Sequence, residues 1–150
     1  MLWVRLTATH LKWDVAAHSL KSVFAALAQL VHQHVPKLDA EVVFDRLTER
    51  ERLGSTALNN GVALPHVQCP ELTAPLLLVL RTEKALPIAG PEQKPVDIFF
   101  ALFTPQGEGK ELLDRLYACL HHQSWPNTLR QITVQEAVKL ISVKLTPLEP

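Results

Sequence analysis

Cysteine is scarce in this chain of 150 residues, which holds only Cys69 and Cys119, far apart and outside any CxxC motif. Zinc sites and disulfide frameworks need cysteines that are more numerous or more closely spaced. We therefore expect two reduced, buried thiols, no metal ion, and a reducing compartment.

The sequence also lacks a charge of predominant sign and any long apolar run. Lys+Arg and Asp+Glu each number 15. A neutral chain gives no electrostatic reason to expect a nucleic acid or an anionic membrane as partner. The longest apolar runs, 76–80 and 98–103, are too short to cross a bilayer. The first ten residues lack the apolar core of a signal peptide. We expect a cytoplasmic protein without membrane insertion.

The common signatures of nucleotide binding and hydrolysis are missing as well. The sequence contains no P-loop, GxGxxG, GxSxG or paired-carboxylate motif, and no internal repeat. Apolar residues make up 47% of the chain, which is ordinary for a globular protein of this length. One domain spanning residues 1–150 is therefore expected.

Helical and strand patterns do alternate along the chain. Helices are predicted to begin after the N-caps Ser19 and Asp39, near Lys110, after the candidate cap Ser124, and after Thr133, which forms a capping box with Glu136. Strands are predicted at 76–80 and 96–103, and residues 11–15 predict a short strand or an extended segment. Residues 84–95 predict a loop, with or without an edge segment, and residues 145–150 a frayed end. Apolar strands between helices indicate an α/β fold with a sheet covered on both faces.

The most distinctive stretch is GSTALNNGVALPH, from Gly54 to His66. It combines small hydrogen-bonding side chains with glycines that tolerate unusual backbone angles. Pro65 fixes its own φ and favours an extended residue before it, which predicts a strand that ends with His66 at its rim. An imidazole beside hydrogen-bond donors suits phosphoryl transfer, because its pKa near 6.5 leaves a neutral nucleophile at pH 7.

Plainer interpretations of the same residues stay open from composition alone. A histidine after a proline is often a simple loop residue, and Arg50 at the end of a charged helix is often solvated. Ser55 and Thr56 are equally suited to capping the loop backbone.

A family resemblance adds to this interpretation. The run RERLGSTALNNGVALPH resembles the active-site segment of type 2 enzyme IIA domains of the bacterial phosphotransferase system (PTS). The likeness is greatest to the nitrogen-regulatory branch of the fructose/mannitol-type IIA family. The matching positions are Arg50-Glu51, Gly54-Ser55-Thr56, Asn60-Gly61 and Pro65-His66. The QKPVDIFFALFTP strand and the leucine-rich helix after it extend the likeness over nearly the whole chain.

The resemblance implies a three-layer α/β/α sandwich around a mixed β-sheet, the mannitol-type IIA fold. It implies that His66 accepts a phosphoryl group from a phosphohistidine on an HPr-like carrier protein, without a metal or an organic cofactor. The phosphate-binding residues would be Arg50, Ser55, Thr56 and Asn60. The phosphorylation state would signal to a regulatory target protein in nitrogen or potassium regulation.

Two positions depart from the family pattern. Val67 stands where a glycine often follows the active histidine. Many members carry a second histidine at the start of the next helix, and our alignment places Leu112, or Glu111, at that position. The alternative is therefore an interaction module that keeps the fold but is not phosphorylated.

Overall fold

A five-stranded mixed sheet forms the centre of the molecule in a computed structural model that describes residues 4–58, 60–87, 94–121 and 124–145. Its strands are, in chain order, β1 (Leu11–Val15), β2 (Val62–Ala63), β3 (His66–Gln68), β4 (Leu76–Leu86) and β5 (Val96–Thr104). β4 runs parallel to β1 and antiparallel to β5, whose other edge pairs in parallel with both β2 and β3. The mixed directions match the predicted sheet.

The helices cover both faces of this sheet. They are α1 (Leu20–His34), α2 (Ala40–Arg52), α3 (Lys110–Leu120), α4 (Ser124–Leu129) and α5 (Val134–Leu145), preceded by a short 3₁₀ helix at Ala8–His10. The predicted caps at Ser19 and Asp39 accept backbone N–H bonds from Ser22 and Glu41. The capping box of Thr133 and Glu136 also forms. Local sequence therefore sets where these helices begin.

Alternate residues of β4 and β5 enter two separate cores. Leu78, Leu80 and Phe99 pack with α1 and α2 on one face. On the other face, neighbouring strand residues such as Val79 and Phe100 pack with α3, α4 and α5. Because successive side chains of a strand point to opposite faces, apolar runs without alternation are what a sheet covered on both faces requires. The predicted three-layer α/β/α sandwich is confirmed.

The structure differs from the prediction around His66. Pro65 divides the predicted strand in two, and His66 opens β3 instead of ending the strand before it. Proline has no N–H to donate to the sheet, but its carbonyl accepts a bond of 2.9 Å from the Leu102 N–H. The Leu64 N–H turns away to the Thr56 carbonyl at 3.0 Å. His66 consequently lies next to an interruption in the pairing along β5.

Smaller differences concern the ends of other elements. β4 continues to Leu86, into the segment predicted as a loop, and residues 88–93 of that loop lie outside the described residues. α4 begins at Ser124 itself, whose carbonyl accepts a bond from the Thr128 hydroxyl. The predicted frayed end lies outside the described residues from position 146 onward.

Candidate phosphoryl-acceptor site

His66 is half-buried, and a backbone carbonyl determines which of its ring nitrogens carries the proton. Its Nδ1 lies 2.8 Å from the Leu64 carbonyl oxygen. A carbonyl only accepts hydrogen bonds, so Nδ1 carries the proton and Nε2 keeps its lone pair. Burial lowers the pKa of His66, and the charge of Arg50 lowers it further, against the raising effects of the Leu64 bond and Glu51. The ring is therefore neutral, with a nucleophilic Nε2, at pH 7.

The imidazole lines an open cavity of about 710 Å³ between α2, β3 and the start of α3. The lining includes cations from two of these elements, Arg46 and Arg50 from α2 and Lys110 from α3. The exposed Leu53 and the half-buried Leu113 add apolar surface. The site therefore offers a neutral nucleophile and cations on a surface that another protein can reach.

Arg46 and Arg50 lie one helical turn apart but differ in their bonding. Arg46 donates from both terminal nitrogens to the Glu71 carboxylate, at 2.8 and 2.9 Å. This pairing lowers the pKa of Glu71 to about 2. Arg50 instead donates one bond of 3.0 Å to the neutral carbonyl of Gly54, at an exposed position. Of these two arginines, Arg46 is therefore ion-paired with a carboxylate, whereas Arg50 is bonded to a neutral acceptor.

Glu51 anchors the loop that follows α2. One carboxylate oxygen accepts the Thr56 hydroxyl at 2.8 Å, and the other accepts the Thr56 N–H at 3.2 Å. Thr56 is only 4% exposed. Residue-by-residue reasoning gave Glu51 no role, although its place in the motif five residues before a threonine was a usable signal. These two bonds to Thr56 explain why a glutamate follows Arg50 in this stretch.

The other predicted phosphate ligands make contacts outside the cavity that His66 lines. The Ser55 hydroxyl accepts a bond of 3.1 Å from the Ala57 N–H, and neither Ser55 nor Thr56 is part of the cavity lining. The Asn60 side chain donates to the Leu120 carbonyl. Asn60 lines a second cavity, of about 410 Å³, which it shares with Arg130. The structure brings Arg50 to His66 but does not bring Ser55, Thr56 or Asn60 into the same cavity.

The start of α3 contributes residues other than Leu112 and Glu111 to the cavity. Leu112 is 5% exposed and belongs to the core beneath α3, while Glu111 is exposed and does not line the cavity. Lys110 and Leu113, three positions apart on one side of the helix, line the cavity with His66 instead. Whether Leu112 or Glu111 replaces the second histidine stays a prediction, and neither residue lines the cavity of His66.

The described residues also bear on metal binding and membrane insertion. In the described ranges, no three His, Cys, Asp or Glu side chains cluster as a metal site would require. Cys69 is buried, Cys119 is half-buried, and neither is in a disulfide; burial raises the pKa of both thiols. Among the helices of the described segments, none is long and apolar enough to span a membrane.

Comparisons with known proteins agree with this fold. The family described as "Phosphoenolpyruvate-dependent sugar phosphotransferase system, EIIA 2" matches residues 5–143. The nitrogen regulatory protein of Pseudomonas aeruginosa is 33% identical over 133 residues, which cover 87% of this chain and 86% of that protein.

Two solved structures extend the comparison. The nitrogen regulatory protein IIA-Ntr of Neisseria meningitidis has a TM-score of 0.80 at 27% identity, covering 93% of this chain and 95% of that one. The mannitol enzyme IIA of Escherichia coli, solved with phosphorylated enzyme IIB, has a TM-score of 0.78 at 14% identity, covering 94% and 99%, and shares the fold. The chain belongs to the type 2 EIIA family of the phosphotransferase system, in its nitrogen-regulatory branch.

Proposed function

We propose that His66 accepts a phosphoryl group on Nε2 from a phosphohistidine of an HPr-like carrier, in the cytoplasm, and that its phosphorylation state signals in nitrogen or potassium regulation. The observation that supports this most directly is the bond of 2.8 Å between His66 Nδ1 and the Leu64 carbonyl. It holds the ring in the tautomer whose Nε2 is the nucleophile, beside a cavity that contains Arg50.

The transfer balances without an external acid or base. The P–N bond of the donor breaks and a P–N bond to His66 Nε2 forms. The donor ring leaves as a neutral imidazole when its other nitrogen carries a proton. His66 keeps its Nδ1 proton, and its ring takes up the positive charge, which the Leu64 carbonyl dipole stabilises. Positioning and charge stabilisation are the main demands of such a transfer.

Arg50 is the proposed ligand of the phosphoryl oxygens, because its guanidinium suits bidentate contact and its present acceptor is neutral. Ser55, Thr56 and Asn60 stay predictions as further phosphate ligands. We propose a positioning role for Thr56 through its two bonds to Glu51, and for Asn60 through its bond to Leu120. The complex of mannitol enzyme IIA with phosphorylated enzyme IIB supports a protein as the partner.

A phosphorylation assay tests the proposal. The purified protein is incubated with phosphoenolpyruvate, the general PTS enzyme and the phosphocarrier, and acid-labile phosphate is measured. We expect about one phosphate per chain, and none in His66→Ala. His32→Ala is the matched control, because the Nδ1 of His32 also lies 2.9 Å from a backbone carbonyl, that of Leu38, but His32 is not in the cavity lining. It should be labelled like the wild type.

The second candidate function is an interaction module that is not phosphorylated. His66 is the one histidine in the described lining of the cavity, and the apolar Leu113 lies where α3 begins. A cavity without a second imidazole offers less charge stabilisation to a phosphoryl group. An unlabelled wild-type protein that still binds a partner in the same reaction mixture would favour this module over the phosphocarrier.

A further inference from the structure

We propose that phosphorylation of His66 releases a latch between Arg50 and Gly54, and that the freed segment 53–55 reports the phosphorylation state at the protein surface. This inference rests on the proposed function, because it needs a phosphoryl group on His66. The proposed signal is a local change in backbone order beside the cavity, in the loop that joins α2 to β2.

The latch is one hydrogen bond between the last turn of α2 and the loop. Arg50 Nη1 donates to the Gly54 carbonyl oxygen at 3.0 Å, and Arg50 also lines the His66 cavity. The same guanidinium is therefore bonded to the loop and placed to serve the phosphoryl site.

A phosphoryl group brings about two negative charges and three strong acceptor oxygens. Arg46 and Lys110 are already paired in the described structure, with Glu71 and Asp114. Arg50 is bonded only to a neutral carbonyl, and a bond to a charged acceptor is roughly twice as strong as a neutral one. Arg50 is therefore the cation that a phosphoryl group on His66 draws toward itself, away from Gly54.

The segment is held so weakly elsewhere that the loss of this bond matters. Leu53 is 86% exposed, and a Cβ added at Gly54 would meet no atom within 4 Å. The remaining backbone bonds of Leu53 and Gly54, to the Arg50 and Glu51 carbonyls, are both long at 3.2 Å. Thr56 stays fixed by its two bonds to Glu51, so the release is confined to residues 53–55.

Residue-resolved hydrogen exchange tests the latch on the full chain, before and after enzymatic phosphorylation. The Gly54 amide is bonded to the Glu51 carbonyl in the unphosphorylated structure. We expect this amide to exchange about fivefold faster in the phosphorylated protein. The Thr56 amide should be unchanged. Phosphorus NMR on the same sample establishes that phosphohistidine has formed.

Two variants separate the latch from a general effect of charge. Arg50→Met should show the faster Gly54 exchange without phosphorylation. Arg52→Met is the matched control, because Arg52 lies in the same helical turn, pairs with Glu49 and is not in the cavity lining. It should behave like the wild type in both states.

The outcomes distinguish the two proposals. Phosphohistidine with Gly54 exchange that is unchanged, or with an Arg50→Met variant that exchanges like the wild type, overturns the latch and leaves the phosphocarrier standing. Absence of phosphohistidine under complete reaction conditions overturns both.

Discussion

The chemistry of this protein depends on how a few side chains near His66 share their hydrogen bonds. Sequence reasoning selected His66 and Arg50, and both line the same cavity. It could not tell that Asn60 bonds to the Leu120 carbonyl, sixty positions away, because that contact exists only after α3 packs on the sheet. Residues that act through local bonds were accessible from the motif, whereas residues held by tertiary contacts were not.

Removing Arg50 should raise the pKa of His66. Arg50 and burial both lower that pKa, so Arg50→Ala removes the smaller of the two effects. The pKa should rise but stay below its ordinary value, because the ring remains half-buried. NMR titration of the imidazole measures this, with Arg52→Ala as the control that leaves the pKa unchanged. A pKa that falls or stays constant in Arg50→Ala would contradict the placement of Arg50.

The Arg46–Glu71 pair should stabilise the fold in a pH-dependent way. The folded-state pKa of Glu71, about 2, lies below the unfolded value of about 4.5. The stabilisation is therefore fully present above pH 4.5 and is lost as the pH falls toward 2. Both side chains are about one-third exposed, so Arg46→Met should cost only about 1 kcal/mol at pH 7.

Urea unfolding at pH 7 and at pH 3 measures this difference between the wild type and Arg46→Met. The difference should shrink at pH 3. A difference that is equal at both pH values would assign the effect to packing of the arginine side chain and not to its charge.

At the scale of elements, most helices and strands were predictable from periodicity and capping residues. Ser19, Asp39 and the Thr133–Glu136 box gave the starts of α1, α2 and α5. The division of β2 from β3 at Pro65 was not predicted. It depends on which neighbouring strand receives the Pro65 carbonyl, and that strand, β5, lies more than thirty positions further along the chain. Sequence patterns report local preference but not strand partners.

The start of α3 gives a test at this scale. Gly109 has φ +96°, and a Cβ there would lie 2.2 Å from Thr104 Cγ2. Gly107, two residues earlier, has φ +80° with open space around it. Gly107→Ala should therefore cost about 1 to 2 kcal/mol from backbone strain alone. Gly109→Ala should cost roughly 3 to 5 kcal/mol, because it adds a clash in the core.

Denaturant unfolding of both glycine variants measures these costs. Equal losses of stability in the two variants would mean that α3 does not approach Thr104 as described, and that the α3 side of the His66 cavity is placed incorrectly.

At the level of the whole molecule, one sheet separates two hydrophobic cores. Phe100 of β5 is fully buried beneath the α3–α5 layer, and its ring centroid lies 5.4 Å from that of Trp125. Phe100→Ala should destabilise the protein by about 3 to 5 kcal/mol. Val143→Ala, at a position 72% exposed, should change stability by less than about 0.5 kcal/mol. Thermal or urea unfolding compares them, and a similar loss in both would refute the assignment of the second core.

The whole chain also shows why fold and function were not equally accessible. Uninterrupted apolar strands required cover on both faces, which already predicted the three layers. The phosphoryl-acceptor role was predicted from the motif around His66 and from the family likeness. This role also requires a second protein, which donates the phosphoryl group. The coordinates add the tautomer, which no sequence pattern contains, because the Leu64 carbonyl reaches Nδ1 only through the turn at Pro65.

The measurement that tests the account most directly is NMR of the protein labelled with ¹⁵N-histidine, after phosphorylation by the PTS carrier. We predict phosphorus coupling at Nε2 of His66, with the Nδ1 proton retained. Phosphorus coupling at Nδ1, or a phosphoryl group on any other residue, would contradict it.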